Sequence, residues 1–130
     1  MNIAVRYYSK TGNTKAVAEA IASAVNVDAV SVEKPEAQIT EPVDVLFVGG
    51  ALYAYGLDKH LKEYLKSLKK DNVKKAVVFS TSWLSKHSVE LIKKGLSDNG
   101  ITVEAEYFYV KNRPTVAQEK EAAAFAERFV

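Results

Sequence analysis

Apolar residues fall into two alternating patterns along the chain. Short runs rich in Val, Ile, Phe and Tyr predict strands at 2–8, 28–33, 43–49, 75–80 and 101–110. Longer stretches with apolar residues at i, i+3 and i+4 predict helices at 13–25, 58–69, 87–98 and 116–129. In the second helix Leu57, Leu61, Tyr64, Leu65 and Leu68 share a face, while Asp58, Lys59, Lys62, Glu63 and Lys66 lie elsewhere. The last repeats this with Ala122, Phe125, Ala126 and Phe129. The first is lined by Val17, Ile21, Ala24 and Val25, and its Ala18, Ala20 and Ala22 are small enough to lie close against a sheet.

The strands also differ among themselves. Val45-Leu46-Phe47-Val48 and Ala76-Val77-Val78-Phe79 are continuously apolar, as strands covered on both faces must be, so they are expected at the centre. Ile101 to Tyr107 alternates, and Val30 to Glu33 does so weakly, which suits edges. Repeated βα units joined by right-handed crossovers predict the α/β class: a five-stranded parallel sheet in a three-layer α/β/α sandwich, one domain over residues 1–130.

Composition narrows the chemistry. At 130 residues and 48% hydrophobic, the chain can bury one sizeable core. It has no cysteine, which excludes disulfides, thiol nucleophiles and cysteine-held iron–sulfur clusters within it, so any redox chemistry needs a bound cofactor. Lys and Arg number 18 against 16 Asp and Glu, a net charge of +2 that names no partner by itself. Met1 to Tyr8 is short and broken by Arg6, so it is read as a strand of a cytoplasmic protein; no apolar run reaches the roughly 18 residues of a membrane span.

In such sheets ligands bind beyond the carboxyl ends of the strands, which directs attention to three loops. In the first, Ser9, Lys10, Thr11, Gly12, Asn13 and Thr14 lead from strand to helix. Gly12 lets the backbone turn, and hydroxyl and amide donors surround a helix N-terminus that favours an anion. Asn13 or Thr14 could instead simply cap the helix. The loop is neither a Walker A loop nor G-x-G-x-x-G. In the second, Gly49-Gly50-Ala51-Leu52-Tyr53-Ala54-Tyr55-Gly56 places two tyrosines among small residues, suited to lie against a planar ring. The third, Ser80-Thr81-Ser82-Trp83-Leu84-Ser85, offers hydroxyls and the only tryptophan, which either packs on the helix beneath or meets the ligand.

Ser9-x-Thr11-Gly12-Asn13-Thr14 after an apolar strand resembles the FMN-phosphate loop of flavodoxins. The resemblance implies strand order 2-1-3-4-5, FMN as cofactor, its phosphate held by residues 9 to 14, and its ring between the second and third loops. Ala51 to Gly56 and Ser80 to Leu84 then complete the cofactor site. It also implies that the Tyr55-Gly56 peptide can turn its carbonyl toward reduced flavin N5. The third loop lacks the Gly and Asp residues often found there in the family. Unlike the generally acidic flavodoxins this chain is slightly basic, which implies a less negative second reduction potential near Lys10, Lys59 and Lys86 and partners with acidic docking faces.

The function so implied is one-electron transfer between redox partner proteins, as a monomer or weak dimer. A flavin-dependent quinone or small-molecule oxidoreductase is the alternative: Gly50 to Gly56 is similar to the G-A-x-x-x-Y-G stretch of flavodoxin-like protoporphyrinogen oxidases, whose long C-terminal insertion is not evident here. A flavin-free interaction module is a third. No catalytic side chain, metal site, nucleic acid or membrane is expected: His60 and His87 have no second ligands at metal spacing, and the paired lysines lack interleaved aromatics. Receiver domains share this strand order but need acidic residues where Tyr8-Ser9 and Gly49-Gly50 stand.

Overall fold

The computed structural model describes residues 1–53, 56–83 and 85–130. In chain order its elements are β1 (Ile3–Tyr7), α1 (Asn13–Ala24), β2 (Ala29–Ser31), β3 (Val43–Gly50), α2 (Lys59–Ser67), β4 (Val73–Thr81), α3 (His87–Asp98), β5 (Val103–Val110) and α4 (Val116–Glu127). Single 3-10 turns lie at Pro35–Ala37 and Lys70–Asn72. The strands pair in parallel in the order β2-β1-β3-β4-β5, as the resemblance implies. Winding reverses between β1 and β3, so the loops after those strands diverge and leave a crevice at the carboxyl edge. Among the described residues no helix is long and apolar enough to cross a membrane.

The two apolar runs are central, as expected, and their alternating side chains feed two cores. On one face Leu46, Val48, Ala76 and Val78 pack with Leu61, Tyr64, Leu65, Ile92 and Leu96 of α2 and α3. On the other Val45, Phe47, Val77 and Phe79 pack with Val17, Ile21, Ala22 and Phe125 of α1 and α4. Each buried Leu, Ile or Phe contributes roughly 1.5–3 kcal/mol. The apolar stripe of α2 is buried throughout, from Leu57 to Leu68.

Local chemistry moves several boundaries from their expected places. The pairing of β2 ends at Ser31, not residue 33, because the chain turns there: Lys34 N–H donates to Ser31 O at 3.0 Å and Pro35 opens the 3-10 turn. α2 stops at Ser67 because Leu68 is extended, and the Asn99 side-chain amide caps its end by donating to the carbonyls of Leu65, Lys66 and Leu68. α4 starts at Val116, as expected, because Thr115 forms a reciprocal capping box with Gln118. β5 departs from simple alternation: Ala76 pairs with Val103 but Val78 with Tyr107, so the edge strand carries extra residues and Ala105, Glu106 and Tyr107 are exposed.

Arg6, which interrupts the first apolar run, has a structural role. Its Nε donates to Ala37 O at 2.8 Å, and the Tyr64 hydroxyl donates to the same carbonyl at 2.5 Å, tying the 3-10 turn to β1 and α2. Burial pushes the Tyr64 phenol up to about 12, against the pull of the Arg6 guanidinium. In the unfolded chain the phenol ionises near about 10. The associated stability is therefore complete below pH ~10 and is lost as pH rises toward about 12, by roughly 2–3 kcal/mol. Urea midpoints measured across that window should fall in the native protein and fall less in Tyr64→Phe, where Ala37 O keeps its Arg6 donor.

Gly49 marks where the central strand is tightest. A Cβ there would strike both the ring and the carbonyl oxygen of fully buried Phe79 on β4. Gly49→Ala should cost about 1–3 kcal/mol by overpacking, read from urea unfolding; an unchanged midpoint would show that β3 and β4 are less close than described.

Candidate functional site

The first loop is built to leave a helix N-terminus open. Gly12 adopts φ 95°, a left-handed conformation that suits glycine, and stands as N-cap of α1. No side chain caps the helix, so Asn13 and Thr14 do not act as caps. Ser9 Oγ instead accepts from Gly12 N–H at 3.0 Å, closing the turn. The first-turn N–H groups of α1 and the positive end of its dipole are thus turned toward the crevice.

The third loop is held from both sides. Thr81 Oγ1 lies 2.6 Å from Thr14 Oγ1, a buried hydroxyl pair joining it to the first loop. Ser82 N–H donates to Val110 O at 3.2 Å, and the Tyr109 hydroxyl donates to Ser82 O. Burial raises the Tyr109 phenol above its ordinary range. In the second loop Tyr53 and Gly56 exchange two backbone hydrogen bonds of 2.9 Å, with Gly56 at φ 101°.

These loops enclose a cleft of about 280 Å³. Ser9, Lys10, Thr11, Asn13 and Thr14 line it from the first loop, Ala51, Leu52 and Tyr53 from the second, and Thr81, Ser82 and Trp83 from the third. Trp83 does not pack on the helix beneath; it stands open to solvent at the cleft. Ser80 was expected to offer its hydroxyl here, but it is fully enclosed and donates to Gly50 O at 2.6 Å beside Ser88 Oγ at 2.6 Å. Its work is to tie β3, β4 and α3 together beneath the loops. Gly12 and Gly56 shape backbone rather than line the cleft, and Ala54, Tyr55 and Leu84 lie outside the described residues.

Sequence reasoning missed Lys111 and Asn112, which line the cleft immediately after β5. The signal was available: β5 pairs with β4, so the residues after it must border the loop after β4. Of the three lysines expected around the ligand, Lys10 lines the cleft, with Nζ 5.6 Å from the centre of the Tyr53 ring. Lys59 does not line it, and Lys86 extends over Tyr107 and Tyr109 on β5. The lining residues therefore include two lysines and no carboxylate, a setting for an anion. His60 is bound to Asp58 Oδ2 through Nδ1 at 2.8 Å and stacks on Tyr8, outside the lining.

Three larger hollows lie elsewhere: about 660 Å³ beside Glu19, Asn26 and Asp28, about 500 Å³ between α2 and α3, and about 340 Å³ beside Gln38, Ser67 and Asn72. None of these gathers three strand-end loops around a helix N-terminus, as the 280 Å³ cleft does.

The hydroxyl pair is testable in isolation. Thr14→Val leaves the Thr81 hydroxyl buried without its partner and should cost about 1–3 kcal/mol. Thr14→Val/Thr81→Val removes both and should cost less than the sum of the single changes, a coupling of about 0.5–3 kcal/mol in a double-mutant cycle. Strictly additive costs would mean that the pair does not form.

A family model described as Flavodoxin domain matches residues 4–113, a span that contains all three loops. Comparison with curated proteins finds no match. Among solved structures, oxidised flavodoxin 1 from Bacillus cereus superposes with a TM-score of 0.81 at 21% identity, covering 99% of this chain and 97% of that one. A flavodoxin from the domain Archaea gives 0.71 at 24% identity, covering 99% and 96%. Rubredoxin oxygen:oxidoreductase from Desulfovibrio gigas gives 0.85 at 19% identity; 98% of this chain corresponds to 34% of that larger protein.

Proposed function

The chain belongs to the flavodoxin domain family, and from that membership we propose that it binds FMN in the cleft beneath Trp83 and carries electrons between redox proteins. The observation that carries the reading is the junction of an uncapped α1 N-terminus, hydroxyl and amide donors, two lysines and two aromatic side chains in a single carboxyl-edge cleft. These groups fit a flavin mononucleotide: phosphate at residues 9 to 14, ring between Tyr53 and Trp83. Bound FMN would supply reversible one-electron chemistry, which no side chain here provides.

The protein's own part is to bind, orient and bias. Backbone N–H groups of the first turn and the hydroxyls of Ser9 and Thr11 would hold the phosphate, while the buried Thr14–Thr81 pair fixes the distance between the first and third loops. Lys10 and Lys111 would favour added negative charge on the ring, so the second reduction potential should be less negative than in an acid-lined site. A second reading, an FMN-dependent quinone or small-molecule oxidoreductase, draws support from the likeness to one third of an oxygen oxidoreductase; sustained turnover with NAD(P)H and a quinone distinguishes it from a carrier.

The purified protein should show a flavin absorption spectrum or acquire one with FMN. Riboflavin should bind at least ~100-fold more weakly, because it forfeits two or more hydrogen bonds to a charged phosphate at about 1.5–3 kcal/mol each. Equal affinities would refute the phosphate loop, and no binding of either would refute the carrier. Gly56→Ala meets open space at its Cβ, so its penalty comes from φ alone. It should shift the first one-electron potential while leaving FMN bound; an unchanged potential would exclude the Tyr55-Gly56 peptide from redox tuning.

A further inference from the structure

Trp83 is 68% exposed. The loop that carries it is seated on β5 by the Tyr109 hydroxyl and the Val110 carbonyl. Beyond that seat Lys86 Nζ lies 5.6 Å from the Tyr109 ring centre and 6.0 Å from that of Tyr107, which is itself 36% exposed. Lys93 Nζ lies 5.1 Å from the Tyr107 ring and donates to Ala105 O at 2.7 Å. An exposed tryptophan at the cleft and, along the β5 edge, an exposed tyrosine with two lysines over the β5 aromatic rings thus lie on the same side of the sheet edge that the third loop is seated on.

The positive charge of this strip is offset only in part by its neighbours. The carboxylates of β5 are engaged elsewhere, Glu104 with Lys75 at 3.6 Å and Glu106 with Arg128. The acid on the same stretch of α3, Glu90, faces His87 at 3.3 Å. Among the described residues neither Lys86 nor Lys93 has a carboxylate within ion-pair distance, and Lys111 adds a further cation where the strip meets the cleft. Exposed Trp and Tyr framed by cations have the composition of an interface centre with a charged rim.

We propose that this strip, from Trp83 along β5 to Lys93, is the docking surface for an electron-exchange partner that presents an acidic face. The inference rests on the carrier reading above and adds the location and chemistry of contact. Such a partner would be steered to the cleft edge by the lysines and would bury Trp83 on arrival.

The test uses the soluble domain of cytochrome b5 as the acidic probe and cytochrome c as its basic counterpart. Each is added to 15N-labelled protein while its NMR spectrum is followed. Cytochrome b5 should move the Trp83 indole and the amides of Lys86 and Tyr107, with the shifts fading as ionic strength passes about 0.15 M; cytochrome c should move none of them. Lys86→Glu/Lys93→Glu should weaken cytochrome b5 binding about tenfold or more. Lys66→Glu/Lys120→Glu, the same charge change on α2 and α4, should weaken it far less. Absence of binding, shifts centred elsewhere, or equal loss in both double variants would overturn the proposal. The measurement needs no flavin chemistry: failure of the unmutated protein to dock while it binds FMN overturns this surface alone, and docking without FMN binding overturns the carrier reading alone.

Discussion

Residues 45 to 50 of β3 are buried without interruption, and the need to cover that strand on both faces places the rest of the molecule. A parallel neighbour must return over the sheet through a helix, so covering β3 and its neighbours puts α1 and α4 on one side and α2 and α3 on the other. Because every strand points the same way, the loops that leave β1, β3 and β4 share one edge. The cleft follows from that geometry before any ligand chemistry is considered. Its chemistry depends on what the loops carry, and its precision depends on what holds them.

The holding is done by a few buried polar contacts. Ser80 ties Gly50 and Ser88 together, Thr14 meets Thr81, and Tyr109 meets Ser82, so β3, β4, β5, α1 and α3 are joined just below the loops. Each contact satisfies groups whose isolation in the interior would cost about 1–3 kcal/mol. They therefore oppose independent movement of the loop bases. Lining groups supported in this way are organised before a ligand arrives, which limits the ordering cost of binding.

The architecture was legible because it rests on periodicity. Strand number, helix number, central and edge positions and the α2 stripe all follow from apolar spacing, and the phosphate-loop motif adds the strand order. What was less legible depends on partners distant in sequence. Nothing at positions 68 and 99 says that an asparagine beyond α3 will cap α2, and nothing in Ser80 marks it as a strut rather than a cleft donor. Those roles depend on which element lies opposite. Lys111 was missed for a different reason: it belongs to no motif, and only the pairing of β4 with β5 brings it to the cleft.

The irregularity in β5 links these two kinds of residue. A regular edge strand would keep alternating one side chain inward and one outward, which is the expectation its sequence raises. The extra residues between Val103 and Tyr107 break that alternation and leave Ala105, Glu106 and Tyr107 exposed, while Phe108 and Val110 return to the core. The same strand can therefore anchor the Trp83 loop at its carboxyl end and present Tyr107 to solvent farther back. Lys86 and Lys93 then lie over an aromatic surface where a flat continuation of the sheet would offer bare backbone. Charged residues at an edge oppose indiscriminate strand pairing, and the same cations give that edge a preference for negative charge.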